Sequence, residues 1–145
     1  MRLWHLRETN FTADRQNHYE TLFAVGNGYL TTRGTFEEGH EGEIAATLVH
    51  GIYNHAPNTL VPELVNAPNP LPIRIRMDGT SVYPIMRVRP EDYMRPPQGL
   101  VIGYERSLNL YTATLRRELL FRAASGNIAR IVFERFASLH DQHVI

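Results

Sequence analysis

Hydrophobic and polar residues alternate most regularly at 71–78, where Ile73, Ile75 and Met77 fall on one side and Arg74, Arg76 and Asp78 on the other. A period of two predicts a half-buried β-strand. Asp78-Gly79 then predicts a hairpin turn, with residues 82–88 returning. The last third predicts an antiparallel meander: strands at 106–110 and 113–122, a turn at Ser125-Gly126-Asn127, and a strand at 128–138. Leu119 and Phe121 oppose Glu118, Leu120 and Arg122, while Ile131 and Phe133 oppose Arg130, Val132 and Glu134. Apolar residues on both faces suit a sheet packed on both sides over part of its length.

The first half is less periodic. Leu3, Trp4 and Leu6 predict the buried side of a short strand, with Phe11 as a further anchor. Residues 13–25 predict a short helix with Asp14 as N-cap and Tyr19, Leu22 and Phe23 at i, i+3 and i+4. In Gly26-Asn27-Gly28-Tyr29-Leu30-Thr31-Thr32-Arg33-Gly34, Asn27-Gly28 predicts a turn and the rest a short strand ending at Gly34. Arg33, between small residues, is free to reach a carboxylate or a carbonyl. Residues 44–53 read as a strand ending in the turn formers Asn54-His55-Ala56-Pro57-Asn58. Prolines 57, 62, 68, 70 and 72 make 56–72 extended or turning, not helical, and 90–99, with Pro96-Pro97, a surface loop. The expected fold class is mainly β, antiparallel, with one short helix near residues 14–25.

Composition narrows the partners. Fifteen cationic residues, all Arg, balance fifteen acids. Zero net charge gives no electrostatic reason to expect nucleic acid or a membrane surface. No cysteine is present, so disulfides and thiolate metal sites play no part. The N-terminal residues lack the apolar core of a signal peptide, and no apolar run approaches the ~18 residues of a membrane span. A cytoplasmic protein without cofactor is expected.

The candidate chemistry is thin. The glycines of 26–34 match neither a dinucleotide fingerprint nor a P-loop, and a strand follows them, so they read as turn geometry. Glu37, Glu38, Glu41 and Glu43 bring to mind the paired acids of sugar hydrolysis, but four glutamates in a Gly-flanked segment read better as a solvated loop. His140 and His143 have helical spacing in a stretch that reads as strand and turn. His40, His50 and His55 lack a third ligand at diagnostic spacing, so surface histidines are expected and no metal. Arg74, Arg76, Arg87 and Arg89 read as a salt-bridged sheet face. No catalytic residue is assigned, and carbohydrate-binding residues stay unassigned.

The order of motifs says more. Glu20-Thr21-Leu22-Phe23, Gly26-Asn27-Gly28-Tyr29-Leu30, Thr32-Arg33-Gly34 and Glu37-Glu38-Gly39 come first. Gly51-Ile52-Tyr53-Asn54, Glu63-Leu64-Val65-Asn66 and Ile73-Arg74-Ile75-Arg76-Met77-Asp78-Gly79 follow in register. Then come Arg106-x-Leu108-x-Leu110, Leu115-x-Arg117 and Arg135-Phe136-x-Ser138-Leu139. Together they resemble the start of glycoside hydrolase family 65 proteins, the maltose, trehalose and kojibiose phosphorylases and related disaccharide hydrolases. Gly26, Asn27, Gly28, Tyr29, Arg33, Gly34, Asp78 and Gly79 form the structural fingerprint. Thr31 stands where the family usually has glycine, so a neighbour is expected to approach that strand less closely. Asn109 stands where aspartate is common, in a turn lacking the usual Arg and Gly.

The resemblance implies an N-terminal β-sandwich of galactose-mutarotase-like form, followed in relatives by a helical linker, an (α/α)6 catalytic barrel and a small β domain. It implies inverting attack by phosphate or water with chemistry in the barrel. Residues 1–145 are thus expected to be a partial, non-catalytic N-terminal domain of a disaccharide phosphorylase or hydrolase acting on α-glucosides such as maltose or trehalose. A self-standing carbohydrate-binding or assembly module, or an aldose epimerase-like protein, are the alternatives. Because 142–145 reads as a strand just begun, a homodimer completing the sheet is expected, and possibly a separately encoded barrel as partner.

Overall fold

A computed structural model describes residues 4–40, 42–82 and 99–145. The fold is mainly β with antiparallel sheets and one short helix, as the sequence leads one to expect. β1 (His5–Glu8), β8 (Leu100–Asn109), β9 (Thr114–Arg122) and β10 (Ile128–Arg135) form one four-stranded sheet in the order β1-β8-β9-β10. β2 (Val25–Gly26), β3 (Leu30–Thr32), β4 (Thr47–His55) and β5 (Pro62–Ala67) form the second, in sequence order. β6 (Arg76–Met77) and β7 (Thr80–Ser81) make a separate two-stranded ribbon.

The meander forms with the expected faces. Leu119 and Phe121 are fully buried and Leu120 is exposed. Leu119, Phe121, Val82 and Ala123 form one core cluster, over which Ile75, Met77, Ile131 and Phe133 pack. The alternation at 71–78 therefore holds for Ile75 and Met77, but only Arg76–Met77 pairs as strand, and Ile73 is half exposed. Asp78 and Gly79 both have positive φ, 50° and 77°, the conformation of a two-residue hairpin turn. The returning segment is described as far as Val82: Thr80–Ser81 is strand, and Val82 N donates to Ile75 O at 2.9 Å. Residues 83–88 of the expected strand, the 90–99 loop up to residue 98, Arg87 and Arg89 lie outside the described residues.

Three local expectations are corrected. Trp4 and Leu6 are exposed at 63% and 37%, and the buried residue of β1 is Glu8, because the layer beneath is charged. The helix is a 3-10 turn (Ala13–Arg15) running into α1 (Gln16–Leu22). Its cap position is Arg15 rather than Asp14, with no side-chain cap hydrogen bond. Leu22 is exposed, and the buried α1 side chains are Gln16 and Glu20, again because the helix lies on charged partners. Finally, 142–145 is not a strand: Ser138 N donates to Val144 O and Val144 N to Asp141 O, folding the segment into a turn. Asn27 Nδ2 fastens that turn by donating to Ser138 O at 2.7 Å and Gln142 O at 3.0 Å.

The proline-rich segment contains a strand that residue preferences alone do not reveal. β5 starts at Pro62 and occupies the edge of its sheet, where a missing N–H is tolerated. It pairs with β4 across a register shift between Leu48 and Tyr53, and Gly51 in that interval has φ +83°.

Candidate functional site: a buried arginine–carboxylate layer

Arg106 on β8 and Arg117 on β9 are direct cross-strand partners, and Arg135 on β10 lies two residues beyond Arg117's partner Phe133. Period two puts all three on the inner face with Leu108, Leu115 and Leu119. Each is at most 5% exposed. Buried guanidinium is costly unless fully paired, so the layer is explained only by what it meets.

It meets residues 33–38, a segment that belongs to no strand and ends in a turn at Glu37-Glu38. Such a segment has backbone carbonyls without ladder partners. The arginines supply the donors. Arg135 Nη1 donates to Arg33 O at 2.9 Å, Arg106 Nη1 to Gly34 O at 2.8 Å, and Arg135 Nη2 to Thr35 O at 2.9 Å. Gly34 is required by closeness: a Cβ there would stand 2.6 Å from Phe23 Cβ and 2.7 Å from Phe23 O.

The carboxylates neutralise the same arginines. Glu37 receives Arg117 Nη2 at 2.6 Å on one oxygen and Arg135 Nη2 at 2.6 Å on the other. Glu38 binds Arg117 Nη2 as well. Glu8 accepts from Arg106 Nε at 3.0 Å, Tyr104 OH at 2.6 Å and Gln16 Nε2 at 3.0 Å. Aromatic rings cover the guanidinium faces. Arg117 lies 4.5 Å from the Phe36 centroid and 4.4 Å from that of Phe133, and Arg106 lies 4.6 Å from Phe23 and 4.9 Å from Phe36. Phe36 is thus held between two cations, a favourable use of the ring quadrupole away from water.

A second hub is Glu20 of α1. His40 Nε2 lies 2.6 Å from Glu20 Oε1, while Arg33 Nη2 and the backbone N–H of Ile44 reach Oε2 at 3.4 and 3.3 Å. Arg33 also donates to Asn17 O at 2.7 Å, so it does reach both a carboxylate and a carbonyl. The helix thereby clamps the 33–44 segment.

The acidic segment is therefore not a solvated loop. Glu37 is 8% exposed and the Glu38 side chain 1%; Glu41 lies outside the described residues. Burial raises the Glu37 carboxyl, but Arg117 and Arg135 outweigh it and hold it below its ordinary value. Glu38 has Arg117 alone, and burial prevails, pushing its carboxyl up. Burial also raises the Tyr104 hydroxyl. His40 is a buried partner of Glu20, not a surface histidine. His143 sits edge-on to Tyr29 at 4.8 Å in the C-terminal turn. Among the described residues no group of three His, Asp or Glu could hold a metal.

This layer lacks the geometry of sugar cleavage. Two carboxyl groups would have to flank an open cleft, one keeping a proton to give and one free to accept. Here the carboxylates are closed in and committed to arginine. Nor do His40 and Glu20 flank a substrate space, as an epimerase acid–base pair would; they bond each other.

The fingerprint residues fall into separate structural roles. Asn27 Oδ1 accepts from Tyr29 N and Leu30 N, and Gly28 has φ +88°, forming the expected turn. Gly26 is the cross-strand partner of Thr31, and a Cβ on it would lie 2.3 Å from Thr31 Oγ1. Close approach at Thr31 is retained, contrary to expectation, because its neighbour is itself glycine. Asp78, far from that turn, accepts from Ser125 Oγ and Asn127 Nδ2, bonds that lower its carboxyl's pKa. Asn109 Oδ1 accepts from Tyr111 N and Thr112 N, serving its turn as an aspartate would.

Arg106, Arg117 and Arg135 were not singled out as a site by residue chemistry. Their signal lay in phase: Arg117 falls in step with Leu115, Leu119 and Phe121, and Arg135 with Ile131 and Phe133.

The outer face of the same sheet is a solvated ion ladder. Arg130, and after it Arg116, bond Glu118, holding its carboxyl at about 2. At its β1–β8 end His5, Arg7, Glu105 and Ser107 line a shallow depression of about 220 Å³.

The chain was compared with known proteins. The family model "Glycosyl hydrolase family 65, N-terminal domain" matches residues 6–145. Kojibiose phosphorylase of Halothermothrix orenii is 32% identical over 141 residues, covering 97% of this chain and 16% of the relative. Alpha,alpha-trehalose phosphorylase of Thermoanaerobacter brockii is 28% identical over 156 residues, covering 97% and 18%. A solved chain from human microbiome, provisionally named a kojibiose phosphorylase, superposes with a TM-score of 0.73 at 22% identity. That match covers 96% of this chain and 18% of the other, and shows the shared fold. The chain spans less than a fifth of the length of these relatives.

Proposed function

The chain belongs to the glycosyl hydrolase family 65 N-terminal domain family, and from that premise we propose that it is a non-catalytic domain of a cytoplasmic disaccharide phosphorylase or hydrolase. It acts as a rigid support for a catalytic barrel, with α-glucosides such as kojibiose, trehalose or maltose as the substrate class. The observation carrying this reading is that Glu8, Glu20, Glu37 and Glu38, the carboxylates of the buried layer, are all committed to arginine or histidine. No general acid is left at an open cleft by them. The phosphorylase names of the relatives and the small share of their length that is matched support the same division of labour.

The test is incubation of the chain with inorganic phosphate and each of kojibiose, trehalose and maltose. The expected result is no release of glucose 1-phosphate or glucose above a buffer control; release would overturn the non-catalytic reading. The polar depression at His5, Arg7, Glu105 and Ser107 favours one second reading, a carbohydrate-binding module. Calorimetric titration with the same disaccharides discriminates: saturable heat that Arg7→Ala abolishes would establish binding there.

A further inference from the structure

We propose that Asn27, in the chain's single Asn-Gly dipeptide, is a site of self-modification. Its side-chain amide is converted to a carboxyl through a cyclic imide formed with Gly28, and that conversion unlatches the turn at 138–144 from the turn between β2 and β3.

All four hydrogen-bonding positions of the Asn27 amide are in use. Oδ1 accepts from Tyr29 N at 3.0 Å and Leu30 N at 2.8 Å, which shapes the turn between β2 and β3. Nδ2 donates to Ser138 O at 2.7 Å and Gln142 O at 3.0 Å. Those carbonyls follow β10, the last strand of the other four-stranded sheet, so one side chain ties the chain leaving one sheet to a turn of the other. The His143 ring, edge-on to Tyr29 at 4.8 Å, sits at the same joint. An amide both donates and accepts, whereas a carboxylate only accepts. Aspartate at 27 keeps the two bonds made by Oδ1, so the turn at 27–30 survives. Its second oxygen, in place of Nδ2, faces two carbonyl oxygens with no hydrogen to give. Attraction becomes repulsion, and the 138–144 turn loses its fastening.

The chemistry needs only water. A glycine after asparagine favours ring closure because no Cβ shields its peptide nitrogen. Gly28 is exposed, and a Cβ built on it would meet nothing within 4 Å. The Gly28 nitrogen gives up its proton and attacks Asn27 Cγ. The N–Cγ bond forms, the Cγ–Nδ2 bond breaks, and Nδ2 leaves as ammonia carrying that proton. Water then opens the imide at either carbonyl, giving aspartate or its β-linked isomer. In the latched chain the two Nδ2 bonds hold the amide in place, so the reaction runs from the locally opened state. Two such bonds slow it roughly tenfold to a hundredfold relative to the unfolded chain. The step is irreversible, so an opening of this joint, once captured, is permanent.

The test is incubation of the full chain in warm, mildly alkaline buffer with and without urea, following conversion at Asn27 by peptide mass and by the added negative charge on ion exchange. The folded chain is expected to convert roughly tenfold to a hundredfold more slowly than the chain in urea. The double variant Ser138→Ala/Asp141→Ala removes the side-chain acceptors of Asp141 N and His143 N inside the 138–144 turn, and it should raise the folded rate towards the urea rate. Hydrogen exchange is then read on Asn27→Asp and on the converted fraction of the parent chain, which keeps the test open if the variant does not fold. Ser138 and Val144, whose N–H groups close the turn, should exchange about tenfold faster than in the parent, with β9 unchanged. Asn27 left unconverted in the folded chain, a folded rate equal to that in urea or untouched by the double variant, or parental exchange at 138–144 after conversion would overturn the proposal.

Discussion

Replacing Arg106 by Met removes a 1% exposed guanidinium while keeping much of its volume. In the native chain it donates to Glu8 Oε2, to Gly34 O at 2.8 Å and to Gln16 Oε1 at 3.1 Å, and it lies over Phe23 and Phe36. The variant leaves Glu8, itself 3% exposed, with only Tyr104 and Gln16 as donors and no counter-charge. Breaking a buried pair from one side costs about 3–5 kcal/mol, because the surviving charge stays out of water. At an unfolding entropy of ~2.1 cal/mol/K per residue, that lowers the thermal midpoint by roughly 10–15 °C. Adding Glu8→Gln to Arg106→Met removes the stranded charge. The double variant is then expected to be more stable than the Arg106→Met single variant, with a coupling of at least ~1.5 kcal/mol in a urea-unfolding cycle. Either a single variant within ~1 kcal/mol of the parent or strictly additive effects would refute the view that the pair holds the layer as a unit.

Two further outcomes follow from the same layer. Glu37 is held low, so its ionic bonds stabilise the fold above the ordinary carboxyl value of 4.5 and are lost as pH falls through its native value. Glu38 is held high, so the native state loses stability as pH rises from 4.5 through its native value. Urea midpoints across pH 3–7 should show Glu37→Gln more destabilising than Glu38→Gln at neutral pH, with the Glu37→Gln deficit shrinking in acid; the reverse order at neutral pH contradicts the assignment. Gly34→Ala drives a methyl into Phe23, whose Cβ and carbonyl cannot yield cheaply, and should cost ~1–3 kcal/mol by overpacking. Gly28→Ala meets nothing within 4 Å and bears only the strain of φ +88°, about 1 kcal/mol. Thermal midpoints in the order parent, Gly28→Ala, Gly34→Ala check this, and an inverted order would count against it.

Periodicity and turn chemistry were enough for the meander, the Asp78-Gly79 hairpin and the Asn27-Gly28 turn. Each depends on neighbours in sequence: alternation sets a strand's faces, and positive φ at a glycine sets a turn. β5 escaped because proline argues against a strand unless its position at an edge is known, and edges belong to the assembled sheet. Hydrophobicity places Leu6 and Leu22 in the core and Glu37, Glu38 and His40 in water, since it cannot show that a charged residue's partner waits across the fold. The sequence by itself determined a mainly β, antiparallel chain with the motifs of one family. Only the tertiary structure decided that 33–38 belongs to no strand and is held by side chains from across the fold. The carbonyls of Arg33, Gly34 and Thr35 take their donors from Arg106 and Arg135, and Arg117 holds the Glu37 and Glu38 carboxylates; the three arginines come together only when β8, β9 and β10 are in register.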